Sequence, residues 1–341
     1  MRATGVGSHP GEDQRAFDEA LRIVLGELAE QGDAAGLPYL PEVPGRGAIA
    51  DLAGRTLAVV ADLGADLQPA GWRLTGGGAG VDHRRARSLL AQDLDALEEQ
   101  ASGYVGAWKA QVAGPWTLAA TVERPRGDRV LGDHGARRDL TQALAEGVGQ
   151  HVADLRRRLP GAALVVQIDE PAIAGVHAGR VPTASGLHRH RSVDRPELAE
   201  TLGTVVAAVR EAGAEPWVHS CAPDVPWDLV RASGASGLLV DRSLLRAADL
   251  DVLASALEDG LTVGLGVVAA AGPPPAGDRP VVEGVLRWLD VVGLDPAEVG
   301  ERLLVTPDCG LAGVPAARVA PLLRLLRGAA RSLASEGDVE R

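Results

Sequence analysis

Lysine, cysteine and long apolar runs are what this 341-residue chain has least of, and each shortage excludes a class of function. Among 34 basic residues, Lys109 is the only lysine. Schiff-base chemistry needs a desolvated lysine at the reactive end of a fold. Lys109 opens the apolar run 109–114, the wrong end of a strand for that purpose, so a structural surface lysine is expected. The cluster Gly76-Gly77-Gly78-Ala79-Gly80 lacks both the lysine and the spacing of a phosphate-binding loop and reads as a flexible loop. The two cysteines, Cys221 and Cys309, lie far apart with no secretion signal. They fit a reducing, cytoplasmic setting and metal ligation better than a disulfide framework. No uninterrupted apolar stretch reaches membrane-spanning length, which excludes a transmembrane helix. A basic surplus is missing as well: the formal charge is -12 and the pI about 5.2, so nucleic acid finds no electrostatic footprint. The densest basic run, Arg156-Arg157-Arg158, closes a helical pattern, where cations complement the helix dipole.

What is present is an alternation. With 46% hydrophobic and 23% charged residues the chain has an ordinary globular composition. Short apolar runs ending in polar residues recur at 3–8, 109–114, 163–169, 215–221, 237–241, 262–268 and 302–309. Helical patterns separate them: 12–31, with Phe17, Leu21, Val24, Leu25 and Leu28; a helix capped by Asp139 that carries Leu140, Leu144, Val148, Val152, Leu155 and Leu159; and 196–212, 281–292 and 316–333. Strands alternating with helices make a parallel sheet, and the length favours an α/β fold of the (β/α)8 TIM-barrel type. One domain over 1–333 is expected, with a frayed tail at 334–341. The Pro- and Gly-rich stretch 33–56 is expected to form a long loop over the barrel mouth, and 272–280 another loop.

In a barrel, chemistry gathers at the C-terminal ends of strands. Ser8, Asp169, His219, Cys221, Asp241 and Cys309 all occupy such ends. Positions i and i+2 of a strand share a face, so His219 and Cys221 can offer a nitrogen and a sulfur to one ion. Cys309 supplies a second thiolate and Asp241 an oxygen, which together form a tetrahedral zinc set. The plainer possibility is that the cysteines are small buried hydrophobes and His219 a satisfied core histidine.

Five motifs now carry a resemblance. Gly5-Val6-Gly7-Ser8-His9-Pro10, Ala113-Gly114-Pro115-Trp116-Thr117, Gln167-Ile168-Asp169-Glu170-Pro171-Ala172, His219-Ser220-Cys221 and Pro307-Asp308-Cys309-Gly310-Leu311, in this order, resemble the C-terminal catalytic barrel of cobalamin-independent methionine synthase. The resemblance implies a uroporphyrinogen decarboxylase/methionine synthase-like barrel and Zn2+ held by His219, Cys221, Asp241 and Cys309. It also implies homocysteine as the thiol, with Ser8 at its carboxylate and Asp169 and Glu42 at its ammonium group. The activity implied is that of a 5-methyltetrahydropteroyltriglutamate-homocysteine S-methyltransferase in methionine biosynthesis. Zinc suits this chemistry, since a thiol with a free pKa of about 8.5 is mostly protonated at neutral pH, whereas a coordinated one is deprotonated and remains nucleophilic.

The chain departs from the family pattern in four ways. Asp241 stands where the family has glutamate, Ala271 where it has its general-acid histidine, and Thr121 near the position of its pterin-stacking tryptophan. A counterpart of the family's N-terminal barrel, which helps bind the polyglutamate tail, is expected to be lacking. A departing pterin nitrogen needs a proton, whereas cob(I)alamin does not. These losses therefore lead to the expectation of methylcobalamin or a corrinoid protein as methyl donor. His9, His188 and His190 are candidate replacement acids, each expected to be a surface histidine. Three alternatives remain: a zinc barrel acting on another thiol, a non-catalytic binding or regulatory barrel, and a cofactor-free decarboxylase of the uroporphyrinogen type.

Overall fold

The apolar runs become strands and the amphipathic stretches helices in the computed structural model, which describes residues 1–29 and 35–339, apart from the side chains at 301 and 336–339. The strands are β1 (Arg2–Ala3), β2 (Ala65–Gln68), β3 (Gly71–Leu74), β4 (Gly106–Ala113), β5 (Ala162–Asp169), β6 (Glu215–Ser220), β7 (Gly237–Asp241), β8 (Thr262–Val268) and β9 (Leu303–Pro307). The helices are α1 (Gln14–Leu28), α2 (Leu52–Val59), α3 (Val81–Gln100), α4 (Pro115–Thr121), α5 (His134–Arg158), α6 (Ile173–His177), α7 (Arg195–Glu211), α8 (Trp227–Ala232), α9 (Ala247–Glu258), α10 (Arg279–Val292), α11 (Pro296–Val299) and α12 (Ala316–Val339).

Among the described residues, seven strands form one curled parallel sheet in the order β1-β9-β8-β7-β6-β5-β4, while β2 and β3 make a separate antiparallel hairpin. Each of the seven apolar runs read from the sequence overlaps one of these sheet strands: four contain it whole, while β1, β4 and β5 begin ahead of their runs. The hairpin and α2, α3, α4, α6, α8, α9 and α11 escaped that reading: α3 is strongly polar, and all the other helices except the 12-residue α9 have eight residues or fewer.

Register delivers the site. Ala113 pairs with Asp169 across β4 and β5, Asp169 with His219 across β5 and β6, and Asp241 with Gly266 across β7 and β8. Side chains alternate between the two faces of each strand. On the concave face Leu37, Val165, Trp217, Leu239 and Leu304 form a small apolar plug, apart from the main core that fills the space under the helices. Two residues farther along the same faces come Lys109, Gln167, His219 and Asp241, so the face turns from apolar to polar toward the C-terminal ends.

Residues 35–42 do not form the loop expected over the mouth. They lie between the two edge strands and bond to both. Leu37 N donates to Ala3 O at 2.8 Å, and Leu40 N to Lys109 O, also at 2.8 Å. Farther along, Glu42 N donates to Gly7 O at 3.0 Å and His9 N to Glu42 O at 2.7 Å. Edge strands carry unpaired backbone groups, and this segment satisfies them despite its prolines. The rest of the stretch turns through Pro44–Arg46 into α2, and residues 33 and 34 lie outside the described residues.

Helix α5 begins one turn and a half before the expected cap. Asp133 has an extended backbone and accepts from Ala136 N at 2.9 Å, whereas Asp139 is already inside the helix and pairs with Arg138. The expected basic last turn, Arg156 to Arg158, is present. Helix α12 continues to Val339, through residues where a frayed tail was expected; 340 and 341 lie outside the described residues. Among the described residues no helix is long and apolar enough to cross a membrane.

Candidate functional site

The polar end of the concave face is organised around hydrogen bonds that burial makes obligatory. Asp169, at the end of β5, is 7% exposed and His219, on β6, 5%. Asp169 Oδ1 meets His219 Nδ1 at 2.7 Å and accepts from Gln167 Nε2, also at 2.7 Å. This leaves His219 Nε2 buried without a partner among the described residues. A buried polar atom that goes unpaired calls for an explanation. A carboxylate on one imidazole nitrogen and nothing on the other is the arrangement that supports metal-ligating histidines.

Cys221 follows β6 directly and Cys309 follows β9. Their Cα atoms are 5.8 Å apart and the structure joins the sulfurs as a disulfide. The expectation of two free thiols is corrected in that respect: the chain leaves the pair within bonding reach of each other. Asp241 ends β7, but its carboxylate accepts from Ser243 N at 2.8 Å and Ser243 Oγ at 2.7 Å, capping its own turn. Among the described residues no group of three or more His, Cys, Asp and Glu side chains is arranged to hold a metal ion. The donor chemistry nevertheless suits zinc once the sulfurs are reduced, because two thiolates and the orphaned imidazole nitrogen are borderline-soft ligands.

Ser8 meets the turn after Cys309. Leu311 N donates to Ser8 O at 2.9 Å and Ala312 N to Ser8 Oγ at 3.4 Å, and a Cβ at Gly310 would displace the Ser8 hydroxyl. Glu42 pairs with Ser8 at the end of the segment that lies between the edge strands. Arg55 Nε stands 3.3 Å from its Oε1, and Gln111 Nε2 donates to the same oxygen at 3.4 Å. Burial pushes the Glu42 carboxyl up to about 7 even so. Behind it Asp93, fully buried, receives both Arg46 (2.7 Å) and Arg55 (2.8 Å).

Four participants were not assigned a role from sequence: Lys109, Gln111, Gln167 and Glu170. Lys109 is the main correction. It is fully buried rather than superficial, and burial brings its ammonium down to about 7, with Asp169 and Glu42 pulling it back up. Glu170 accepts from Trp116 N and Thr117 N, both at 2.9 Å, and from Thr117 Oγ1 at 2.7 Å, which caps α4; burial raises it to about 7. The only signals for these roles were the single lysine and two glutamines inside otherwise apolar strands.

The candidate acids separate. His9 is buried, its Nε2 2.7 Å from Tyr39 Oη, and burial lowers it to about 4; His190 is held by Asp128 at 3.2 Å. Neither is the surface histidine expected, while His188 is exposed. Ala271 lies on an exposed loop and Thr121 ends α4.

Residues 109–332 match the family described as cobalamin-independent synthase, catalytic domain. The match starts at Lys109, so Ser8 and Glu42 fall outside it. No curated protein matches the chain. Among solved structures, a B12-independent methionine synthase from Shewanella sp. W3-18-1 in complex with selenomethionine shares 14% identity at a TM-score of 0.64, covering 98% of each chain. At that identity the likeness is one of fold. An oxaloacetate acetylhydrolase in complex with oxalate, at 12% identity over 99% of this chain and 94% of that chain, has a TM-score of 0.37 and carries no argument.

Proposed function

Because the chain belongs to the family of cobalamin-independent methionine synthase catalytic domains, we propose that it methylates the thiol of homocysteine and that a methyltetrahydropteroylglutamate supplies the methyl group. Membership in a cobalamin-independent family withdraws the corrinoid donor and corrinoid-protein partner expected from the missing histidine and tryptophan. The observation that carries the reading is the buried, unpartnered His219 Nε2, backed by Asp169 and set in the chain's His-x-Cys motif.

We read residues 35–42 as the eighth strand of a closed (β/α)8 barrel, since they bond to both edges of the seven-stranded sheet. His219, Cys221 and Cys309 would hold zinc in the reduced protein, with Asp241 as fourth ligand after it leaves Ser243. When bound, zinc keeps a thiol deprotonated at neutral pH. Asp169 Oδ2, which accepts no bond from the described residues, and Glu42 take the ammonium group of the amino acid. Ser8 and the backbone amides after Cys309 take its carboxylate. In the transfer a sulfur–carbon bond forms as the pterin nitrogen–carbon bond breaks; the thiol gives up its proton and the nitrogen gains one. Ala271 has no proton to give, and water reaching its exposed loop takes the histidine's place.

The test is methionine formation by reduced, zinc-loaded protein from homocysteine with 5-methyltetrahydropteroyl mono- and triglutamate, alongside methylcobalamin. Turnover with a pterin donor and none with methylcobalamin supports the reading. The reverse pattern would overturn the donor assignment, and methylation of other thiols in preference to homocysteine would overturn the acceptor.

A further inference from the structure

Lys109 donates three hydrogen bonds deep in the sheet: to Val6 O at 2.9 Å, to Gln167 Oε1 at 2.8 Å and to Gln111 Oε1 at 3.2 Å. An ammonium group has three donors and no acceptor, so this set uses its full capacity. The consequence for the glutamines is directional. A side-chain amide has one accepting and one donating end. With a cation holding both Oε1 atoms, each NH2 must point away from the lysine. Gln167 Nε2 therefore donates to Asp169 Oδ1 at 2.7 Å and to Val6 O at 2.9 Å. Gln111 Nε2 donates to Leu40 O at 2.8 Å and leans on Glu42 Oε1 at 3.4 Å. One arm continues from Asp169 to His219 Nδ1 and the other from Glu42 to Arg55. A third contact places Lys109 Nζ 5.1 Å over the ring of Tyr39, which bonds His9 beside Ser8.

We propose that Lys109 is a positioning residue which, through the amides of Gln167 and Gln111, aims Asp169 and Glu42 at the ammonium group of the thiol substrate and so selects amino-acid thiols. The inference rests on the reading of Asp169 and Glu42 as ammonium-binding carboxylates. Without the cation either amide can turn over, presenting an oxygen to a carboxylate and driving that carboxylate out of place. The defect falls on recognition of the ammonium group, not on recognition of the thiol.

The experiment is calorimetric binding of homocysteine and of its desamino counterpart, 4-mercaptobutanoate, to reduced, zinc-loaded wild type and Lys109→Met. The variant is expected to bind homocysteine about tenfold or more weakly, the scale of losing one oriented charged hydrogen bond, and the desamino thiol within about twofold of wild type. Equal losses for both thiols, or no loss for either, would overturn the proposal. Should Lys109→Met fail to fold, Gln167→Leu and Gln111→Leu each cut one arm and keep the lysine. Each is expected to lose preference for homocysteine, and full preference in both would overturn the inference. A wild type that binds both thiols without preference, or neither, overturns the ammonium-binding reading itself and is told apart because it needs no variant.

Discussion

The site has two flanks built on opposite plans. On the β4–β6 flank, Lys109, Gln111, Gln167, Asp169 and His219 are all 7% exposed or less and every link between them is a hydrogen bond within 3.2 Å. On the β7–β8 flank, Asp241 is part-exposed and occupied by its own turn, the inward positions of β8 are Gly264 and Gly266, and the following loop at Ala269 and Ala271 is open to water. Burial removes water as a partner, so the first flank, bonded throughout except at His219 Nε2, has one arrangement and is preorganised. Water and local turns satisfy the second, which is free to rearrange. Two of the chain's departures from the family pattern, Asp241 and Ala271, fall on the open flank, while Thr121 ends α4 after β4. The closed flank holds the intact Gln-Ile-Asp-Glu-Pro and His-Ser-Cys motifs.

The sharpest way to break this contrast is to attack the buried charges supporting Glu42. Asp93→Ala leaves Arg46 and Arg55 buried without their shared carboxylate and should cost about 3–5 kcal/mol, read from urea unfolding. A loss below about 1 kcal/mol would mean that water already reaches this network. Glu170→Ala strips three donors at the start of α4 and should cost about 1–3 kcal/mol by the same measurement. A smaller effect is carried by pH. Burial raises Glu42 from 4.5 to about 7. Between those values the folded protein keeps a proton that the unfolded chain releases, so stability falls as pH rises across the window and levels off above it. Replacing Glu42 with glutamine removes this share of the fall. The stability of wild type minus that of Glu42→Gln should therefore decrease from pH 4.5 to 7, with Glu170 common to both proteins. A flat difference would show Glu42 to be hydrated, and a rising one would show that Arg55, not burial, governs its proton. The smallest effect belongs to the open flank: Asp241→Ala removes only a local cap and should cost about 0.5–1 kcal/mol. A larger cost would make the two flanks alike.

The closed flank was only half legible in the sequence. Strand ends could be read because parallel strands are apolar runs that stop at polar residues, and so Asp169, His219 and the two cysteines could be located. Lys109 could not, because a lysine at the start of a run looks like a surface residue until the concave face is known to contain Val6 O and two glutamine oxygens. The segment 35–42 was missed for a related reason. Pro38 and Pro41 argue against a strand, yet neither residue is a donor in the bonds to β1 and β4, which use the amides of Leu37 and Leu40. Asp241 was read at its strand end, but a carboxylate one methylene shorter than glutamate reaches the amide two residues on, and this local bond is not visible in the spacing of candidate ligands.

On the proposed reading, His219 Nε2 on the closed flank, together with Cys221 and Cys309, would meet a metal ion. The most direct test is zinc per chain in reduced protein dialysed against trace zinc, for wild type and His219→Ala, with circular dichroism to establish that both are folded. About one zinc is expected in wild type and almost none in the folded variant, since the loss of one of three borderline-soft donors leaves only the two thiolates and a capped Asp241. Equal zinc in the two proteins, or none in reduced wild type, would contradict it.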